Sequence, residues 1–180
     1  MKVSREDRFL ANILAELTMP DGGAAARRLA AEGGSLDWAC LVARMSEEGV
    51  LCLFFYYVHQ LGLQDLLPSE VASRLAQRYH ANLRRNLIAG AVLKPIFAAL
   101  AEHRIPFIVL KGISLAELAY PALGIRGMSD ADLLVKKADM PGVDALLYRR
   151  GYTPRDSPVP AALGNPVGYL ASLDYGQGDG

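Results

Sequence analysis

The sequence predicts an α+β fold, with a helical N-terminal region over residues 1–100 and a small mixed-sheet core over residues 101–180. Three observations carry that prediction. Apolar residues recur at helical spacing through the first hundred positions. The period then changes, after Glu102, to short β-branched runs. From there strand-like and helix-like segments alternate. With 180 residues, 52% of them hydrophobic, the chain can bury one sizeable core, or a core and a helical annex.

In the first region Phe9, Leu10, Ile13, Leu14 and Leu17 mark a short amphipathic helix that stops at the turn Pro20-Asp21-Gly22-Gly23. A second helix is predicted from about Leu36 to Met45. The apolar stretch from Val50 to Leu61 fits a buried helix or a strand, and helix is the preferred reading. From Ser69 the positions Val71, Leu75, Tyr79, Leu83 and Leu87 step by four, while Arg74, Arg78, Arg84 and Arg85 fall on other faces. These arginines read as a solvated helix face before they read as a nucleic-acid stripe. Pro95 is expected to kink or break this helix, because proline removes a donor and clashes with the preceding turn.

In the second region Ile105 to Leu110 reads as a buried strand ended by Lys111-Gly112, and Ile113 to Tyr120 as one or two helical turns closed by Pro121. The loop Gly124-Ile125-Arg126-Gly127-Met128-Ser129 leads into a second strand, Asp130 to Val135. Ala138 to Arg149 reads as a helix with Asp139 at its N-cap and Pro141 in its first turn. Extended chain restarts at Gly151-Tyr152. From Pro154 onward prolines and glycines alternate without periodicity, which is what a chain truncated at its C-terminus would leave. There is no internal repeat.

Charge excludes some functions. Nineteen basic side chains balance nineteen acidic ones, so no overall field recruits nucleic acid or an anionic membrane, and an anionic substrate has to be met by local groups. Cys40 and Cys52 lack CxxC or Cys/His spacing and read as reduced core thiols, in keeping with a cytoplasmic protein. The first residues carry charges where a secretory signal needs an apolar segment, and the longest apolar run, residues 50–58, is too short to span a membrane. His59, His80 and His103 form no ligand pattern, Ser114 and Ser172 lack a nucleophile-elbow context, and no Walker A or Rossmann glycine motif occurs. The Phe54-Phe55-Tyr56-Tyr57 cluster reads as core.

The chemistry concentrates in GIRGMSDADLLV, residues 124–135. If the strand starts at Asp130, Asp130 and Asp132 share one face and are close neighbours. Like charges that close are unfavourable unless a proton or a cation lies between them. Mg²⁺ resolves the conflict, since it takes one or two protein carboxylates and fills its other positions with water and phosphate oxygens. Lys111 and Gly112, at a strand-to-helix junction, offer a charge and backbone N–H groups to phosphate, and Arg126 offers a planar fork of donors. Ser129 bonds a phosphate or caps the loop. Each residue alone has a plainer explanation: a surface pair, a helix terminator, a salt-bridge partner. Their order along the chain is what one active site requires.

The string IPFIVLKGISLAELAYPALGIRGMSDADLLV resembles the uncharacterised bacterial nucleotidyltransferase family, whose signature is LKG…YP…G-x-R-x-x-x-D-x-D-L-L-V, within the DNA polymerase β-like superfamily. The resemblance is strong over residues 104–152 and looser before them, through RRNL at 84–87. RGMSDADLLV is also similar to the RG-x-SD-x-D-L segment of minimal and aminoglycoside nucleotidyltransferases. The resemblance implies a polymerase β-like core, Asp130 and Asp132 as ligands of catalytic Mg²⁺, and Arg126 and Lys111-Gly112 at the phosphates. The lysine departs from the small residues usual in the wider superfamily but agrees with this family. A third carboxylate is expected from a later strand; Asp174 is the candidate, ahead of Asp179.

The implied function is Mg²⁺-dependent transfer of a nucleoside monophosphate from an NTP to an acceptor hydroxyl, with release of pyrophosphate. The acceptor, a small molecule, a protein or an RNA, is not chosen by the sequence, nor is the oligomeric state. The alternative is a catalytically inactive binding or scaffold protein on the same fold.

Overall fold

The computed structural model describes residues 4–128, 130–154 and 175–177. It forms two compact units: residues 1–85 with 120–127, and residues 86–119 with 128–180.

The first unit is helical. Its helices are α1 (Arg5–Leu17), α2 (Gly23–Glu32), α3 (Trp38–Glu47), α4 (Leu51–Gln60) and the first half of α5 (Ser69–Glu102). Helix α1 starts at a capping box, in which the Ser4 hydroxyl accepts from the Asp7 N–H at 2.9 Å and the Asp7 carboxylate accepts from the Ser4 N–H at 3.4 Å. Its buried stripe, Phe9, Leu10, Ile13 and Leu17, is the one the sequence marks. Helix α4 settles the ambiguity of residues 50–61, for Leu51, Phe54, Phe55 and Val58 recur at i, i+3, i+4 and i+7 and all are buried. They meet Leu41 and Met45 of α3, Leu29 of α2 and Leu75 of α5 in one core. Trp38 closes one side of it and donates its indole N–H to the Gly33 carbonyl at 2.8 Å.

Helix α2 is not predicted by periodicity, because only Ala25 and Leu29 of its ten residues are buried. A charged clasp ties it to α1. Arg28 donates to both Glu16 oxygens, at 2.8 and 2.6 Å, and to Glu32 at 2.8 Å. The hydrogen bonds from Arg28 hold the Glu16 carboxyl below its usual value of 4.5. A carboxylate whose pKa falls on folding contributes stability that is present above the unfolded value and is lost as pH drops through the folded one. Glu16→Gln is therefore expected to lower the urea midpoint at pH 7 and leave it nearly unchanged once the pH is below the lowered folded pKa, narrowing the difference between neutral and acid stability.

In the second unit the last half of α5 and α7 (Met140–Arg149) bury Ile96, Ala99 and Leu100 against Val143, Leu146 and Leu147. The strands β1 (Phe107–Leu110) and β2 (Asp132–Val135) add Phe107, Leu133 and Val135 to this core. Between the strands lies α6 (Gly112–Leu118), of seven residues. The element order matches expectation, but the pairing differs. β1 and β2 are antiparallel, and β3 (Tyr152–Pro154) pairs with β4 (Tyr175–Gln177) in a separate antiparallel ribbon. Among the described residues there is therefore no mixed sheet.

Three local expectations change. Helix α5 runs through Pro95 as a single helix of 34 residues. The lost hydrogen bond and ring clash, roughly 3 kcal/mol, are offset by the buried Ile96, Ala99 and Leu100 that follow. Asp139 does stand at the N-cap of α7, with Pro141 in the first turn, but its side chain makes no capping bond there, because a 3₁₀ turn, Lys137–Asp139, leads straight into the helix. Cys40 is exposed rather than in the core, since the buried stripe of α3 is Trp38, Leu41, Val42 and Met45. Among the described residues no helix is long and apolar enough to cross a membrane.

Candidate active site

Register brings the two halves of the predicted site together in the second unit. Leu110 lies opposite Asp132 in the β1–β2 ladder, so Lys111 leaves β1 beside the start of β2. Its ammonium stands 3.3 Å from Asp132 Oδ2. The lysine is largely exposed and the aspartate about one quarter exposed, at 72% and 26% of the side chain. Water and a ligand can reach both.

The backbone at this point is strained. Lys111 has φ 51° and ψ −136°, a left-handed conformation uncommon for a side chain with a Cβ. Such a residue costs roughly 1–3 kcal/mol and persists only where its surroundings enforce it, which is most often at a functional site. Gly112 follows at φ 23°, and a Cβ on it would lie 3.0 Å from the Asp130 carbonyl oxygen. The glycine thus admits the chain entering β2, where the sequence suggested the approach of a ligand.

Asp130 is exposed and precedes β2, which begins at Asp132. The alternation of a strand therefore does not by itself place the two carboxylates on one face. Pairing ends at Leu110 and Asp132, where Lys111 turns out of extended backbone at φ 51°.

Arg126 belongs to the first unit, in the segment 120–127. The glycines around it serve packing within that unit. A Cβ on Gly124 would lie 2.5 Å from Cζ of Tyr79, and one on Gly127 would lie 3.0 Å from Oδ1 of Asn82. Asn82 is buried and donates its amide to the Gly124 carbonyl at 3.1 Å. Sequence reasoning passed over Tyr79 and Asn82 as anchors of this loop; the available signal was an asparagine inside the apolar pattern of α5. Ser129, Asp174 and Asp179 lie outside the described residues.

The other candidates have structural roles. The Ser114 hydroxyl donates to the Val109 carbonyl at 2.9 Å. The His59 and His80 rings lie 5.7 and 6.3 Å from that of Phe55, and His103 Nδ1 lies 2.9 Å from the Ala99 carbonyl oxygen. Phe54 and Phe55 are core, as expected, while Tyr56 and Tyr57 are half-buried. Among the described residues no group of three or more His, Cys, Asp or Glu is placed to hold a metal ion. Asp132 beside Lys111, and the exposed Asp130 two residues before it, remain. Hard oxygen donors open to solvent suit Mg²⁺, which completes its shell with water and phosphate.

A family model described as "Uncharacterised nucleotidyltransferase" matches residues 34–172, well over half of the chain. No curated protein and no solved structure matches it.

Proposed function

The chain belongs to the uncharacterised nucleotidyltransferase family, and on that premise we propose that Asp130 and Asp132 form the metal-binding half of a Mg²⁺-dependent nucleotidyl-transfer site. The observation that carries the proposal is the meeting of Lys111 and Asp132 at 3.3 Å beside a strained backbone, which joins the LKG and DxD segments at one strand end.

Asp130 and Asp132 would hold Mg²⁺, whose charge would neutralise the triphosphate and polarise the phosphorus under attack. Lys111, already beside Asp132, supplies a cation that can turn to a phosphate oxygen when the carboxylate is engaged. An acceptor hydroxyl attacks the α-phosphorus in line; the new P–O bond forms as the bond to pyrophosphate breaks, and the hydroxyl proton passes to a carboxylate base. Asp174 is the proposed base on sequence grounds. The protein's work is positioning and charge compensation.

Thermal melting with each of the four NTPs tests this reading. At a hundred times its Kd a nucleotide adds about 2.7 kcal/mol, which for a chain of this length raises the melting temperature by about 5–10 °C. A rise with Mg²⁺ that EDTA abolishes is the expected result. Equal melting temperatures under every condition would end the proposal.

A further inference from the structure

The first unit contains a cleft of about 250 Å³ that shares no residue with the carboxylate pair. Ser46, Gly49, Cys52, Arg78, Asn82 and Arg85 contribute to its walls, and its lining includes no carboxylate. Arg78, Asn82 and Arg85 stand at i, i+4 and i+7 on α5, hence on one face over about 10 Å of helix. Asn82 is already engaged, with Gly124 at 3.1 Å and with the Cys52 sulfur at 3.8 Å.

Among the described residues the two guanidinium groups are not tied up by carboxylates as Arg28 and Arg44 of this unit are. Arg28 is bridged to Glu16 and Glu32, and Arg44 to Asp7, Glu47 and Glu48. Among the described residues neither Arg78 nor Arg85 forms a salt bridge. Both act on the Cys52 thiol: burial pushes its pKa up, and the charges of Arg78 and Arg85 oppose that rise. The thiol therefore lies within the field of both cations.

We propose that this cleft is an anion site for a phosphorylated small molecule, with Arg78 and Arg85 gripping the phosphate. Two permanent positive charges match the charge of a phosphate ester, −1.5 to −2 at about pH 7, better than that of a single carboxylate. The volume lies below the roughly 300–1,000 Å³ of pockets for drug-sized ligands, so it suits the phosphate and the few atoms attached to it. The site is independent of the nucleotidyl-transfer reading and needs no metal.

Cys52 provides the readout and exposed Cys40 the internal reference. The full chain is alkylated with N-ethylmaleimide in EDTA at fixed ionic strength, with chloride, inorganic phosphate or glycerol 2-phosphate, and each cysteine is followed by peptide mass spectrometry. Phosphate and its ester should slow Cys52 saturably, about tenfold at ten times Kd, and leave Cys40 unchanged. A preference for the ester over phosphate would mark it as the natural form. Arg78→Gln and Arg85→Gln should each weaken protection about tenfold or more, while Arg84→Gln and Asp130→Asn should not. Lack of protection, equal protection by chloride, or protection undiminished in the Arg78 and Arg85 variants would overturn the proposal. Protection by an RNA oligomer alone would also overturn it and reassign the face to nucleic acid.

Discussion

Replacing Asp132 with asparagine is expected to lower nucleotide transfer by on the order of a thousandfold or more, while the fold survives nearly unchanged. The argument rests on what each interaction of Asp132 is worth. Its ion pair with Lys111 is open to solvent on the lysine side, and such pairs contribute less than about 1 kcal/mol to stability. Asparagine is nearly isosteric and keeps a side-chain oxygen, so the β1–β2 ladder has no reason to rearrange. A metal ligand differs, because its charge enters the transition state, where three decades of rate correspond to about 4 kcal/mol. Transfer of label from an α-labelled NTP, beside a urea melt of the same preparation, separates the two effects. Full activity in Asp132→Asn would remove the carboxylate from the mechanism. Should that variant unfold, Asp130→Asn carries the test, since Asp130 is exposed and lies outside the strand.

Sequence reasoning reached the elements whose pattern is written in single residues and failed where the decision was tertiary. Helix α1 was legible because its buried stripe has a clean period and a turn signal ends it. Helix α2 was not, because only two of its residues are buried, which is too few to mark a period, and the Arg28–Glu16 pair that ties it to α1 leaves no period either. Pro95 is a strong local stop signal that core packing of the neighbouring helix face, through Ile96, Ala99 and Leu100, overrode. Strand order was out of reach for the same reason: alternation predicts a strand but not its neighbour, and β3 found β4. At the site, the motif named the LKG and DxD segments; only the register of Leu110 with Asp132 explains how Lys111 reaches Asp132. The glycines of GIRG were legible only as part of a loop; their close contacts with Tyr79 and Asn82 are tertiary.

The contact of Gly124 leads to the second large effect. Gly124→Ala is expected to destabilise the chain by about 1–3 kcal/mol, with a fall of about 3–10 °C in melting temperature. The added methyl would meet Cζ, Cε2 and Cε1 of Tyr79 at 2.5, 2.7 and 2.9 Å, and all three are ring atoms that cannot bend aside. Nor can the ring as a whole move freely, because Phe55 packs against it with centroids 5.1 Å apart. The loop cannot retreat without breaking the bond from Asn82 to the Gly124 carbonyl. If the collision with the ring is the cause, shortening the ring should relieve it. Tyr79→Leu will have its own cost in lost packing, but in that background Gly124→Ala should cost less than about 0.5 kcal/mol, a coupling of roughly 1 kcal/mol or more between the two positions. Urea titration of the four proteins in this cycle measures it. Additive effects would show that the glycine is needed for something other than contact with Tyr79. Strong coupling would instead assign Gly124 to the packing of its loop on α5, leaving Lys111, Asp130 and Asp132 as the residues on which the chemistry is to be tested.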